Sequence, residues 1–268
     1  MCRRSNLLVA LIASACNWTY GLGTVVERDA SYFDAAPSTC PPIGTIPAFD
    51  HSDLREIVPQ DCTSYSRTAG PERALAECTV AIFDGAPDEA LAPAPGLESV
   101  GPVAFSGPHV GPDGTTAAVT RVTNFFREVV IVHRVAGAWI VGEKVGDYDD
   151  ASEPTAGPHP HILVNGATRQ IDELVDDGNG TWTRVGSVTV REPSLGVYHL
   201  SPDGLRMVAT PGGELGALYF DRDSMASPFT ERGPIANTTG FMDSFLTPDC
   251  GRLYFSTLNG VWFAHRLR

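Results

Sequence analysis

Two histidines stand at the same distance from the same turn. His109 lies three residues before Pro112 in Gly111-Pro112-Asp113-Gly114, and His199 lies three before Pro202 in Ser201-Pro202-Asp203-Gly204. An imidazole titrates near neutrality and ligates metals, so two entering one space would serve as an acid–base pair or as two ligands of one ion. An ion needs a third ligand. The matching positions before Pro158 and Pro248 are Thr155 and Phe245, and neither supplies one. The expectation is therefore that both rings bond a neighbouring element, that no metal or cofactor is held and that no residue is catalytic. The chain has no Gly-x-Ser-x-Gly elbow, no His-Glu-x-x-His and no phosphate-binding glycine loop. His159 and His161 form a His-x-His pair read as a loop. Asp147, Asp149, Asp150 and Glu153, like Asp172, Glu173, Asp176 and Asp177, lack the spacing and glycine of a calcium loop and read as solvated acidic loops.

The turn that follows each histidine recurs with a period. Thr247-Pro248-Asp249-Cys250-Gly251 is a third copy, 46 residues after Pro202, and Pro202 is 90 residues after Pro112. Ninety is two periods of about 45, the length of a propeller blade. Gly157-Pro158-His159-Pro160 falls where the missing copy belongs, and Gly70-Pro71-Glu72-Arg73 is a weaker copy 41 residues before Pro112. Five units thus start near residues 71, 112, 158, 202 and 248. In each turn Ser or Thr bonds the backbone ahead, Pro presets φ, Asp tolerates the bridge region and Gly accepts positive φ. Val130–Val135 before Gly137-Ala138-Trp139, Gln170–Val175 before Gly178-Asn179-Gly180-Thr181-Trp182 and Ala217–Asp221 before Ser227-Pro228-Phe229 read as third strands, each followed by a turn and an aromatic opening a fourth. Trp139 and Trp182 are expected to pack between blades. The nearest helical candidate is Ser52–Val58, at most two turns.

These turns, with the Leu253-Tyr254-Phe255-Ser256 strand after the last, resemble the Pro-Asp-Gly type of WD-repeat-like β-propeller found in TolB and many bacterial envelope proteins. The resemblance covers roughly residues 60–268 and implies an all-β propeller of five blades, each of about four antiparallel strands, or six if residues 17–60 build their own. It places His109 and His199 on first strands, beside the central channel. It says little about function, because propellers host enzymes, receptors and scaffolds alike. The final unit ends after a strand at 261–267 and lacks its fourth. A strand from residues 20–50, either Thr24–Glu27 or Ile43–Ile46, is expected to pair there and cover the open edge.

The amino terminus reads as a targeting segment at 1–15. Arg3 and Arg4 precede the apolar Leu7–Ile12, and Ala13-Ser14-Ala15 ends against Cys16. This resembles a bacterial lipoprotein signal, in which Cys16 carries lipid and becomes the first residue, although Ala13 stands where Leu is preferred. Plain secretion is the alternative. Residues 16–60 read as a linker and ring-closing segment, and 61–268 as the propeller domain. Cys40, Cys62, Cys78 and Cys250 then remain, an even number suited to an oxidising compartment and without zinc-site spacing. Three connectivities are possible. Cys62 and Cys78 flank the turn at Gly70-Pro71 symmetrically, which favours their pairing and leaves Cys40 with Cys250.

The 268-residue chain has 19 Lys and Arg against 32 Asp and Glu; removing residues 1–15 takes away Arg3 and Arg4 and leaves 17 against 32, a net −15. Such acidity disfavours nucleic acid and anionic membrane surfaces. The expected protein is a monomeric, non-catalytic binding or scaffold propeller of the cell envelope, in the outer membrane or periplasm. Its partner is expected to be a protein or an envelope glycan, with a membrane reached only through the lipid. The alternative is a secreted or periplasmic propeller hydrolase with His109 and His199 in its channel. Three or more polar side chains converging on those histidines would favour the enzyme, and a lining of Ser, Thr and apolar residues the scaffold.

Overall fold

The computed structural model describes residues 40–268 apart from 59–61, 69–72, 79–80, 88–90, 125, 167–169, 191–196, 212–215, 258–259 and 268. Cys16, Thr24–Glu27, the turn at Gly70-Pro71 and the Leu258-Asn259 turn lie outside the described residues. Nineteen strands and no helix are found among the described residues. β1 is Phe49–Val58. β2 (Cys62–Arg67), β3 (Ala74–Cys78), β4 (Ala81–Gly85) and β5 (Ala92–Pro93) form blade 1, and β6 (Val103–Val110), β7 (Thr116–Thr123), β8 (Phe126–Val135) and β9 (Ala138–Gly146) form blade 2. Blade 3 has β10 (His161–Asn165), β11 (Gln170–Asp176) and β12 (Trp182–Thr189); blade 4 has β13 (Val197–Leu200), β14 (Arg206–Thr210), β15 (Leu218–Asp221) and β16 (Thr230–Pro234). Blade 5 is β17 (Asp243–Leu246), β18 (Arg252–Thr257) and β19 (Gly260–Arg266), with β1 as its outer strand. The sheets are antiparallel meanders, and together they make a five-bladed β-propeller.

The turn chemistry sets the first hairpin of each blade. Ser201 Oγ accepts from Arg206 N at 2.9 Å, Thr247 Oγ1 from Arg252 N at 2.9 Å and Thr68 Oγ1 from Arg73 N at 3.2 Å. Asp203 Oδ1 accepts from Leu205 N at 3.0 Å, and Asp113 Oδ1 from the amides of Thr115 and Thr116, both at 2.9 Å. Gly114 and Gly204 sit at φ of 67° and 68°, and Cys250 takes the same place at 54°. A side chain is strained there. The disulfide from Cys250 to Cys40 accounts for the exception.

Each blade junction has its own apolar layer, which is why large side chains recur at fixed intervals. Tyr65, Phe83, Phe245, Tyr254 and Phe263 fill the junction of blades 5 and 1. Leu75, Ile82, Val119, Val130 and Trp139 fill that of blades 1 and 2. Ile131, Ile162 and Leu174 join blades 2 and 3, and Leu163, Tyr198 and Phe220 join blades 3 and 4. Tyr219, Leu253 and Phe255 join blades 4 and 5. Each such buried side chain is worth about 1.5–3 kcal/mol. Trp139 does pack between blades, and its indole N–H donates to Asp84 of blade 1 at 3.0 Å. Trp182 packs partly buried at the junction of blades 2 and 3.

The ring closes with a strand from the amino-terminal side, though not with either expected donor. Ile43–Ile46 forms no strand; β1 begins three residues later and pairs antiparallel with β19, from Phe49 opposite Arg266 to Val58 opposite Val261, with two irregularities. Residues 52–58 are therefore strand and not helix, and the extended stretch of the described amino-terminal segment goes into blade 5 and builds no sixth blade. Disulfides join Cys40 to Cys250 and Cys62 to Cys78, as favoured. The first ties the amino-terminal segment to the last blade.

Candidate functional site

The hub of the propeller has a register that the prolines conceal. In every blade the first residue of the turn donates its amide to the residue opening the second strand: Thr68 to Arg73, Gly111 to Thr116, Thr155 to His161, Ser201 to Arg206 and Thr247 to Arg252, all between 2.8 and 3.0 Å. Two residues before these stand Ser66, His109, Glu153, His199 and Phe245. All five are buried. The third turn is one residue longer than the others, so its Gly157-Pro158 comes two residues late. Counting from Pro158 therefore leads to Thr155, whereas the residue beside the histidines is Glu153. The absence of a third ligand is corrected accordingly. The signal was a turn-opening hydroxyl, which Thr155 shares with Thr68, Ser201 and Thr247; Thr155 Oγ1 accepts from His161 N at 2.9 Å. Pro154 lacks an amide donor, which leaves Ala151 with a single bridge in place of a regular strand.

Glu153 is the centre of the hub. Its Oε1 faces His199 Nδ1 at 2.6 Å and His109 Nδ1 at 3.3 Å, and accepts from Ser66 Oγ at 3.1 Å. Its Oε2 accepts from Leu200 N at 3.2 Å. Behind the rings stand two more carboxylates, with His199 Nε2 at 2.8 Å from Asp243 Oδ1 and His109 Nε2 at 3.6 Å from Asp150 Oδ1. The second is a charge contact, too long for a hydrogen bond. The two rings lie 4.8 Å apart, and Phe245 meets His199 edge-on at 5.2 Å. Asp150 and Glu153 thus belong to the hub and not to a solvated loop.

Burial works against every charge here, and the partners decide the outcome. His199 is disfavoured as a cation by burial, but Glu153 and Asp243 outweigh this and raise it to about 9. Burial likewise opposes His109, yet Asp150 and Glu153 hold it well above the usual histidine range. Burial pushes Glu153 up, and the two imidazoles more than reverse that, holding it well below the usual carboxylate range. Burial raises nearby Glu77, only partly offset by the amide of Gly107. The surrounding carboxyl groups thus favour the cationic form of both rings.

Polar side chains therefore converge on the histidines as an enzyme would need, but among the described residues they are closely packed. His109 is 0% exposed, Glu153 5% and His199 3%. The cavity touching Glu153, between Arg67, Thr68, Pro112 and Pro248, holds about 10 Å³, room for roughly one water. A groove of about 350 Å³, within the size range of ligand sites, lies on the turn face between blades 2 and 3, lined by Pro112, Asp113, Thr116, Pro154, Thr155 and Pro160. The carboxylate of Asp113 is occupied there by the Thr115 and Thr116 hydroxyls as well as their amides.

The remaining candidates are dispersed. His161 lies on β10 with Nδ1 at 2.7 Å from Glu173, while His159 is exposed with Nδ1 at 3.1 Å from the carbonyl of Asp176, so the two do not form one site. Asp172 and Glu173 are buried on β11, Glu173 accepting from both terminal nitrogens of Arg222 of blade 4 at 2.8 Å. Only Asp176 and Asp177 are at a turn, accepting from the amides of Gly178 and Asn179.

No family model matches the chain, and no curated sequence matches it. Among solved structures it is similar to TolB from Acinetobacter baumannii, at 16% identity and a TM-score of 0.48 over 78% of this chain and 55% of that one. It is also similar to a functionally unknown protein from Desulfotomaculum acetoxidans, at 12% identity and a TM-score of 0.49 over 74% and 63%. A candidate 6-phosphogluconolactonase from Bacteroides fragilis gives 15% identity and a TM-score of 0.45 over 75% and 64%. The chain thus spans less than two thirds of the length of each, and likeness at this level carries no argument about function. By its own strand order the chain is a five-bladed β-propeller, and these proteins are what it is similar to.

Proposed function

We propose that the protein is a non-catalytic binding propeller of the bacterial cell envelope, with its ligand held on the turn face over blades 2 and 3. The observation that carries this reading is the close packing of the hub: among the described residues, the buried cluster of His109, Glu153 and His199, capable of acid–base chemistry, adjoins a cavity of about 10 Å³. The groove beside it has the volume of a ligand site and is walled by prolines and by side chains already engaged in turn bonds, which gives a rigid surface. Two disulfides suit an oxidising compartment, and the segment ending at Cys16 supplies a route there.

The test uses a photo-crosslinking residue at Pro160 in the producing cell, with Phe126, 79% exposed on a distant hairpin, as control. A discrete protein or glycan adduct from position 160 and none from 126 supports the reading. Turnover of an ester, lactone or glycoside by the purified protein, abolished by Glu153→Gln, overturns it in favour of the hydrolase. Fatty-acid labelling of cells expressing wild type and Cys16→Ser checks the anchor: label lost with the cysteine supports a lipoprotein, and equal or absent label in both excludes it.

A further inference from the structure

We infer that the hub is a binding site for one borderline divalent cation, zinc, nickel or cobalt, ligated by His109 Nδ1, His199 Nδ1 and Glu153 Oε1. One ligand atom from each of the three residues lies within 4.8 Å of the other two, and all three side chains are buried. Ligands of a tetrahedral ion bonded at about 2.0–2.1 Å stand about 3.3 Å apart. His109 Nδ1 and Glu153 Oε1 already have that spacing, at 3.3 Å; the 2.6 Å pair of His199 and Glu153 has to open by about 0.7 Å, and the two imidazoles have to settle at the same spacing from each other. Ser66 Oγ, 3.1 Å from the same carboxylate oxygen, offers a fourth position. Two nitrogens and oxygen suit a borderline ion, whereas calcium and magnesium take oxygen alone.

The groups behind the ligands carry the inference further. A metal-bound histidine usually donates its other ring N–H to a carboxylate, which fixes the ring and raises its basicity. Asp243 stands behind His199 Nε2 at 2.8 Å, and Asp150 stands behind His109 Nε2 at 3.6 Å. Without the ion His109 Nε2 is buried and has no hydrogen-bond partner.

Charge is conserved in the exchange. The rings together carry two Nδ1 protons when both are cationic; ion binding breaks those two N–H bonds, forms two N–metal bonds and releases both protons to solvent. A 2+ charge is replaced by a 2+ charge among the carboxyl groups of Glu153, Asp150, Asp243 and Glu77. Because the three ligands come from blades 2, 3 and 4 and are buried, the ion is a structural cross-link. This does not depend on the groove reading, since the protein could bind a partner without a metal or a metal without that partner.

The full mature protein, purified and stripped with a chelator, is to be reloaded with Zn²⁺ at pH 7.5 and desalted. One retained zinc per chain and a melting temperature raised by several degrees are expected, with Co²⁺ giving the visible absorption of a four-coordinate nitrogen–oxygen site. Asp243→Asn, which leaves all ligands in place, should weaken retention at least tenfold. Glu153→Gln should abolish it. A wild-type protein that retains no ion and melts unchanged with Zn²⁺ overturns the proposal. So does retention undiminished in a folded Glu153→Gln or His199→Gln variant, which would place the ion on surface pairs such as His133 with Glu143. If those variants do not fold, the wild-type stoichiometry and cobalt spectrum decide.

Discussion

The hub and the seam of this propeller hold the ring together by different physics. At the hub a buried carboxylate gathers side chains from three other blades, and its strength depends on protonation. At the seam, β1 and the Cys40–Cys250 bond tie residues far apart in sequence, and the tie is a strand ladder and a covalent bond. A repeat architecture is stable only when every unit has a neighbour on both sides. The seam supplies the last neighbour for the outer edge, and the hub supplies the inner one. Either can therefore be broken while the other is watched.

The largest effect is expected at the seam. A chain starting at Asp61 lacks β1 and Cys40, leaving β19 as an open edge and Cys250 unpaired. It is expected to lose its cooperative melt or to aggregate through that edge. A truncated protein that melts as sharply and at the same temperature as the mature chain would show that the hub alone holds the ring. Cys40→Ala is the milder form of the same break. Closing a loop of 210 residues is worth about 5 kcal/mol in loop entropy, against about 3 for the 16 residues between Cys62 and Cys78. Once Cys40 is gone, Cys250 keeps its φ of 54° with no bond to hold it there. Cys250→Gly in the Cys40→Ala background should then restore about 1 kcal/mol, read from denaturant midpoints.

At the hub, Glu153→Gln leaves two buried imidazoles without their shared anion, and a loss of about 3–5 kcal/mol is expected in metal-free protein. Cys62→Ala with Cys78→Ala, which removes a short-range bond within blade 1, calibrates the comparison. If Glu153→Gln costs under 1 kcal/mol, the hub is filler and the seam carries the ring.

The contrast between the two regions also marks what the sequence disclosed. The turns were legible because Asp113, Asp203 and Asp249 each bond the amides ahead of them, a local act that leaves a local signature. The blade number followed from their spacing. The disulfides followed from the symmetry of Cys62 and Cys78 about a turn. The donor strand was not legible, because Phe49–Val58 carries Asp50, Asp53, Arg55 and Glu56 and has no clean alternation. An outer edge strand is free to be charged, and charge protects it from pairing with other chains. Glu153 was hidden for another reason. One added residue in the third turn moved its Gly-Pro out of phase, and Pro154 broke the strand that would have identified it. Thr155, aligned by its hydroxyl and not by the proline, points to Glu153 directly.

The pH dependence separates the hub from the Cys40–Cys250 bond most cleanly, because the hub holds coupled buried imidazoles and the disulfide does not titrate. His199 is raised from 6.5 to about 9 in the folded protein. A group raised on folding contributes stability that is complete below its unfolded value and is lost as pH rises through its folded value. That contribution is therefore whole below about pH 6.5 and disappears through pH 9, a loss of roughly 3 kcal/mol. His109, also raised, acts in the same direction. Glu153 is lowered, so its share is present above the usual carboxylate range and fails only in strong acid. Metal-free wild type should thus be most stable near pH 5–6 and lose stability steadily between pH 6.5 and 9, while the increment lost in Cys40→Ala stays constant across that range. In Glu153→Gln the slope should flatten, because the rings have lost their principal anion. Denaturant unfolding at pH 5.5, 7 and 9 with chelator present measures all three. A wild-type stability that is level from pH 6 to 9 would mean that the imidazoles are neutral in the fold, and that the hub is a hydrogen-bonded plug and not an ion-paired one.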